Sequence, residues 1–261
     1  MENRKKRMHQ SIIAIFVLLM SPSVALAQKD FEGTVKADFV SRYIWRGMDK
    51  GDFAVQPEAE LKWRGLSLGM NGSVGLDKND AKEINLTLGY ERWGFNIGVT
   101  DYWTADIDSE NRYFYYDEKN GGHVFEGNLG YTCKYFSLQA YCMFYGNDFK
   151  IDGKHAYSTY AELTVPFSLG GVDWEVRAGA TPFESSGHMI TKTVYLPLLG
   201  NRETQVPEYD YADKFSCTEA ALRATKDVRL GGFAIPVYAE LNTNPYLKKA
   251  ALLFGFTIKP F

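Results

Sequence analysis

The residues able to do chemistry in this sequence sit at every second position. Gln56, Glu58, Glu60 and Lys62 form one such run, and Lys36, Asp38, Arg42 and Arg46 belong to another. The pattern returns at Glu83, Asn85 and Thr87, at Glu126 and Asn128, at Tyr160 and Glu162, at Asp173, Glu175 and Arg177, and at Tyr238, Glu240 and Asn242. Successive side chains of an extended chain point to opposite faces, so each run occupies one face of a strand. Carboxylates and cations arranged this way suit charge selection along a passage, or ion pairs that fill a closed interior. No G-x-x-x-x-G-K-[ST], G-x-G-x-x-G or H-E-x-x-H stretch occurs, which leaves phosphate-loop, dinucleotide and zinc-protease chemistry without a sequence basis. His123, His155 and His188 fall near expected strand ends, with Ser158 and Ser185 as conceivable partners for ester hydrolysis, but no serine lies in a recognisable nucleophile motif. The residues therefore predict a non-enzyme with no cofactor and no metal.

What must position these residues is read from the intervening positions. Phe53, Val55, Pro57, Ala59, Leu61 and Trp63 lie opposite Gln56 to Lys62, and Val35, Ala37, Phe39, Tyr43 and Trp45 lie opposite Lys36 to Arg46. After the first 27 residues no segment carries helical apolar spacing over three turns, so the fold class is all-β. The 261 residues are 45% hydrophobic and 23% charged, too apolar for disorder and too charged for a bundle of membrane helices. A net charge of −3 gives no basic field, so nucleic acid is not an expected partner. Cys133, Cys142 and Cys217, an odd number without C-x-x-C spacing, read as isolated packing residues.

Residues 1–27 read as a secretory signal peptide: Arg4, Lys5, Lys6 and Arg7 precede a short apolar run from Ile12 to Met20, and Ala25-Leu26-Ala27 supplies the cleavage pattern. Residues 28–261 then form one domain. Strands are expected near 32–46, 53–64, 66–76, 82–91, 94–104, 123–132, 135–146, 155–167, 172–183, 213–225, 232–242 and 247–261. Many are close to the roughly 9–11 residues that a tilted strand needs to cross a bilayer. Connections after even-numbered strands are short, whereas those after odd-numbered strands include 105–122 and 184–212, the asymmetry of outer-membrane barrels.

Alternation does not say which face is inside. A soluble barrel would have to enclose Phe53, Leu61, Trp63, Phe95, Ile97, Val99, Leu163, Trp174, Leu252, Phe254 and others, which a twelve-stranded lumen cannot pack without collapse. Aromatic residues also gather beside the short turns, at Trp63, Tyr90, Trp93, Tyr131, Tyr135 and Phe136, as at a headgroup belt. Closure follows, because an unpaired strand edge in hydrocarbon is too costly. The expectation is a closed antiparallel up-and-down transmembrane β-barrel of about twelve strands in the outer membrane of a Gram-negative bacterium. Its expected partners are outer-membrane lipid, the barrel-insertion machinery and small polar solutes. Phe261 follows the last alternating strand, although Pro260 ends pairing near Ile258.

The stretch Asp38-Phe39-Val40-Ser41-Arg42-Tyr43-Ile44-Trp45-Arg46-Gly47-Met48 with Gln56-Pro57 resembles the start of uncharacterised bacterial exported proteins of the Gcw-chp type. Gly98-Val99-Thr100-Asp101-Tyr102-Trp103 and Tyr157-Ser158-Thr159-Tyr160-Ala161-Glu162-Leu163 are similar to later parts of them. The resemblance implies an outer-membrane barrel and brings no substrate.

Asp38, Arg42, Arg46, Glu58, Glu60, Lys62, Glu83, Glu126, Glu162, Glu175, Arg177 and Glu240 are thus the candidate pore-lining residues of a narrow porin-like channel for small polar solutes. The alternative is a non-conducting structural or surface-binding barrel. Charge pairing favours a register that sets Arg42 opposite Glu58 and Asp38 opposite Lys62, with Arg42 beside Glu60 as the other option. The 184–212 segment, too long and apolar for a bare tether, is expected to fold over or into the mouth. Asp106, Asp108, Glu110, Asp117 and Glu118 around Tyr113 to Tyr116 offer a divalent-ion or sugar surface, but the Gly of a calcium loop is missing, and an ordinary acidic loop is the plainer reading.

Overall fold

A computed structural model describes residues 31–77, 80, 82–105, 112–196 and 200–259. The expected signal peptide, Asp106, Asp108, Glu110 and Phe261 lie outside them. Twelve strands form one closed antiparallel barrel: β1 (Phe31–Val40), β4 (Ala54–Trp63), β5 (Leu66–Gly75), β6 (Lys82–Arg92), β7 (Phe95–Thr104), β8 (His123–Thr132), β9 (Ser137–Gly146), β10 (Thr159–Leu169), β11 (Val172–Thr181), β14 (Ser216–Leu230), β15 (Phe233–Asn244) and β16 (Lys249–Ile258). Each strand pairs with the next in the barrel, and β16 closes on β1 with Phe39 opposite Phe256. The remaining four strands form two separate hairpins, β2 (Tyr43–Trp45) with β3 (Met48–Gly51), and β12 (Gly187–Leu196) with β13 (Gly200–Tyr209).

The two rims differ as the connection lengths require. At one rim the turns are tight: Arg64-Gly65 and Trp93-Gly94 each place both central residues at positive φ, the type I′ geometry whose twist matches a two-residue hairpin. At the other rim lie 41–53, 105–122, 147–158 and 182–215.

The wall is apolar outside and polar inside. Leu68, Leu88, Ile97, Leu129 and Leu252 are each about three-fifths exposed, whereas Glu126, Glu219 and Glu240 are at most 2% exposed. That inversion settles which face of each strand meets the interior: large aliphatic side chains stand on the outer surface of a closed sheet, as in a barrel whose solvent is hydrocarbon. Exposed Trp93, Phe95, Tyr135 and Phe233 ring the tight-turn rim.

Three expectations need correction. The first strand ends at Val40 and not near 46, because Ser41 turns the chain inward; its N–H bonds the Phe254 carbonyl, and its hydroxyl accepts from the Phe254 N–H at 2.9 Å. The proposed pairing of Arg42 with Glu58 or Glu60 is therefore absent. Arg42 bonds Asp49 and Asp52 at the rim, Lys36 pairs with Glu58 at 3.0 Å, Lys62 reaches Glu60, and Asp38 accepts from Thr257. The 184–212 segment does not plug the bore as a whole: most of it is the β12–β13 hairpin, whose described side chains are mostly exposed, and only its base, at Ser185, Ser186, Tyr211 and Ala212, is buried.

Placing a charge on the outer wall tests the orientation. Leu88→Arg, near the middle of β6, is expected to cost about 2–4 kcal/mol in refolding titrations into lipid vesicles. Thr87→Ala, its inward neighbour, is expected to stay within about 1 kcal/mol.

Candidate lumenal site

The feature that determines the interior is the first hairpin. Segment 41–53 leaves the rim between β1 and β4 and folds into the lumen. Its root packs Tyr43 and Ile44 on a small apolar cluster of Val40, Ala54, Tyr238 and Leu253. Its tip is Arg46-Gly47, with φ of 53° and 77°, again a two-residue turn with both residues in the left-handed region. Only glycine fits the second position, since a Cβ at Gly47 would lie 1.9 Å from the Thr218 carbonyl oxygen. That carbonyl is thrust toward the tip by a register shift in the β11–β14 pairing, which leaves Thr218 without a partner on β11. The Asn244 side chain donates to the Gly47 carbonyl at 3.2 Å.

Arg46 closes the bore from the other side. Its guanidinium donates to both Glu126 oxygens at 2.6 and 2.8 Å and to the Tyr211 hydroxyl at 2.7 Å. It also lies over the rings of Trp45, Tyr141 and Tyr160 at 4.2 to 4.9 Å. Tyr102 adds a hydrogen bond to Glu126 at 2.9 Å, and Tyr43 donates to Glu83 at 3.0 Å. The hairpin thus makes polar contact with β6, β8 and β15. An arginine cannot shed its proton, so carrying it into a buried site demands this planar two-point partner and a ring of π faces.

A second charged layer lines the wall of β11, β14 and β15. Arg177 reaches Glu175, Glu219 and Glu240 at 2.9, 3.2 and 2.7 Å, and Arg223 reaches Glu240 at 2.6 Å. Asn242 donates to Glu219 and Glu240, and Tyr160 donates to Glu219 at 2.6 Å. Two buried carboxylates on adjacent strands are tolerated because two guanidinium groups and two neutral donors, Asn242 and Tyr160, surround them. The Tyr160 ring covers Gly179, where any side chain would collide with its hydroxyl.

Tyr211 comes from the rim, on the stretch that follows β13. Ser185 accepts the N–H groups of Tyr211 and Ala212, and its own N–H bonds the Ala212 carbonyl, which turns Tyr211 inward. Burial pushes the Tyr211 hydroxyl above its usual range, so it stays neutral while it accepts from Arg46. Beside this clamp, Ser158 donates to Asp148, and Ser186 donates to Asp210 while its N–H bonds the Ser158 hydroxyl.

Of the candidate residues, Arg46, Glu126, Glu162, Glu175, Arg177 and Glu240 come together around these two layers. Asp38, Glu58 and Glu83 lie on the wall of β1, β4 and β6, and Glu60 and Lys62 lie farther toward the tight-turn rim. Arg42 stands apart in the rim loop. Sequence reasoning missed Tyr43, Trp45, Tyr102 and Tyr211 as partners of the charges, and it left Glu219 and Arg223 out of the charged wall, although their shared face was visible in the alternation.

The serine and histidine residues do not assemble as a nucleophile pair. Ser158 gives its proton to Asp148, and Ser185 to backbone carbonyls. His155 stands 3.4 Å from the same Asp148, and His188 is exposed on β12. His123, at the first position of β8, is fully buried: Asp101 and the Tyr113 carbonyl flank its two ring nitrogens, and Tyr116 stacks on it at 4.0 Å. The acidic loop is internally bonded where it is described. Backbone N–H bonds from Asn120 and Lys119 and the Asn120 side chain lower the Asp117 carboxyl below its usual range. Among the described residues, no group of His, Cys, Asp and Glu is arranged to hold a metal ion.

The closed sheet, the apolar outer wall and the polar interior define a membrane-spanning β-barrel of the outer-membrane type. No family model and no curated protein matches the chain. Among solved structures, it is similar to one described as Salmonella typhi OmpF complex with Daunomycin, at 9% identity and a TM-score of 0.36 over 88% of this chain and 97% of that one.

The seat of the hairpin tip is testable without touching a charge. Gly47→Ala is expected to unseat segment 43–51, raising amide hydrogen exchange there by at least about tenfold while β6 to β9 keep their protection. Unchanged exchange in 43–51 would contradict the tight approach to Thr218.

Proposed function

We propose that the protein is a narrow porin-like route for small polar solutes across the outer membrane of a Gram-negative bacterium, closed in this state by its own first hairpin. One observation carries the reading. Between the hairpin and the wall of β1 and β4–β7 the lumen holds a polar cavity of about 300 Å³, so the interior is stoppered and not filled. A barrel serving only as a rigid platform gains stability by packing its interior, whereas here the occlusion is delegated to a segment outside the barrel ladder. Closure depends on Arg46, Glu126 and Tyr211, three side chains from three separate stretches of chain. Its loss leaves the twelve-stranded hydrogen-bond network untouched. The solute route is therefore separable from the stability of the wall, which is what a gated passage requires.

Planar-bilayer recording tests this. The full chain is expected to show small, infrequent conductance steps, and a variant with 43–51 replaced by a short Gly-Ser connection is expected to show larger and sustained ones. If neither protein conducts across several lipid compositions, while both remain folded by heat-modifiable gel mobility, the platform reading replaces this one.

Glu126→Gln keeps the shape of the partner and removes its charge. It strands a buried guanidinium, at a cost of about 3–5 kcal/mol when a buried pair is broken, and release of the hairpin relieves that cost. Open probability is accordingly expected to rise in Glu126→Gln. Arg46→Lys, which loses the two-point geometry, is expected to behave alike.

A further inference from the structure

The cavity beside the hairpin has a chemistry of its own. Hairpin residues Tyr43 and Trp45 form one side, and β1 and β4–β7 form the other, with Asp38, Gln56, Glu58, Ser73 and Asn85 among the lining residues. Asn85 is 7% exposed. Its side-chain nitrogen donates to Asn71 at 2.8 Å, but its carbonyl oxygen, also buried, has no protein partner. A buried acceptor left this way is unfavourable unless a donor arrives from outside the chain.

The remaining lining groups narrow what that donor belongs to. Glu58 is already neutralised by Lys36 at 3.0 Å, and Asp38 is occupied by the Thr257 hydroxyl. Gln56 and Ser73 lie 3.5 Å apart, the long limit of a hydrogen bond, so both keep capacity for another partner. Amides and hydroxyls that both donate and accept match a molecule whose groups do the same, namely one rich in hydroxyls. The Trp45 ring adds an apolar surface for C–H groups. The volume is at the lower end of the roughly 300–1,000 Å³ of small-molecule sites, which sets a ceiling near one sugar ring.

We propose that this cavity is a binding site for a neutral polyhydroxylated molecule of monosaccharide size, with the Asn85 carbonyl oxygen accepting one of its hydroxyls. The inference rests on the solute route proposed above and names the class of solute.

Isothermal titration calorimetry on the detergent-solubilised full chain tests it, with D-glucose and D-galactose as probes and 1,4-diaminobutane and inorganic phosphate as charged comparators. Saturable binding of a hexose in the millimolar range is expected, weakened at least about tenfold in Asn85→Leu, with no saturable heat from either charged compound. Thr87→Val, which removes a hydroxyl that also lines the cavity with little change of shape, is the second variant should Asn85→Leu fail to refold, with weakened hexose binding again expected. Absence of saturable hexose binding, equal affinity in a folded variant, or preference for the diamine or phosphate would overturn the assignment. Liposome swelling run in parallel separates the two proposals. Hexose binding by the full chain without hexose entry even through the variant with 43–51 replaced supports the site and removes the route. Hexose entry without saturable binding overturns the site and keeps the route.

Discussion

Hydrocarbon offers no hydrogen bonds, and every backbone N–H and carbonyl that enters it has to find its partner within the sheet. The pairing of β16 with β1 follows from this, and because that pair is antiparallel like the others the strand number is even and both ends of the barrel return to the tight-turn rim. Once the sheet is closed and its outer face is surrendered to lipid, the usual driving force for packing an interior is gone, because the apolar side chains are spent on the outside. What remains to organise the lumen is charge, hydrogen bonding and aromatic faces. Arg46, Glu126, Tyr160 and Glu219 carry out inside this barrel what leucine and valine do inside a soluble one.

That substitution of forces changes the kind of order obtained. An apolar core tolerates small shifts, whereas a guanidinium held by a carboxylate at 2.6 and 2.8 Å and by three rings does not. The lumen is therefore rigid where the charges meet and hollow where they do not, and the cavity by Asn85 lies where the polar lattice gives out. The Arg177 and Arg223 layer stiffens the wall of β11, β14 and β15 without reaching across the bore. Among the described residues, the segment that crosses it is the hairpin, met by Tyr211 from the rim.

The wall was legible in the sequence and its stopper was not, for one physical reason. Alternation reports that a chain is extended and two-faced, and the parity of Lys36 and Asp38 resumes at Arg42 and Arg46, so the break at Val40-Ser41, where the backbone leaves the barrel, passes for a local irregularity of one strand. Arg42 and Arg46 consequently read as neighbours on one strand face, although one bonds Asp49 and Asp52 at the rim and the other sits deep in the lumen. The signal available was Arg46-Gly47, the same pair of residue types as the tight turn Arg64-Gly65, placed inside what passed for a strand. Glu175, Arg177 and Glu240 were found because their polar faces alternate cleanly, and Glu126 was found although β8 shifts register beside it. Tyr211 was beyond reach, since a tyrosine in a long connection carries no periodic mark, and Ser185 turns it inward from well over twenty residues upstream.

The outer hairpin and the inner arginine share one short piece of chain. Residues 210–212 tie the base of β13 to Ser185 and Ser186 and, through Tyr211, to the Arg46 guanidinium. β12 and β13 are paired along both strands, and their base is fastened at the two serines. The exposed arm and the hydroxyl that steadies the guanidinium therefore share one anchorage.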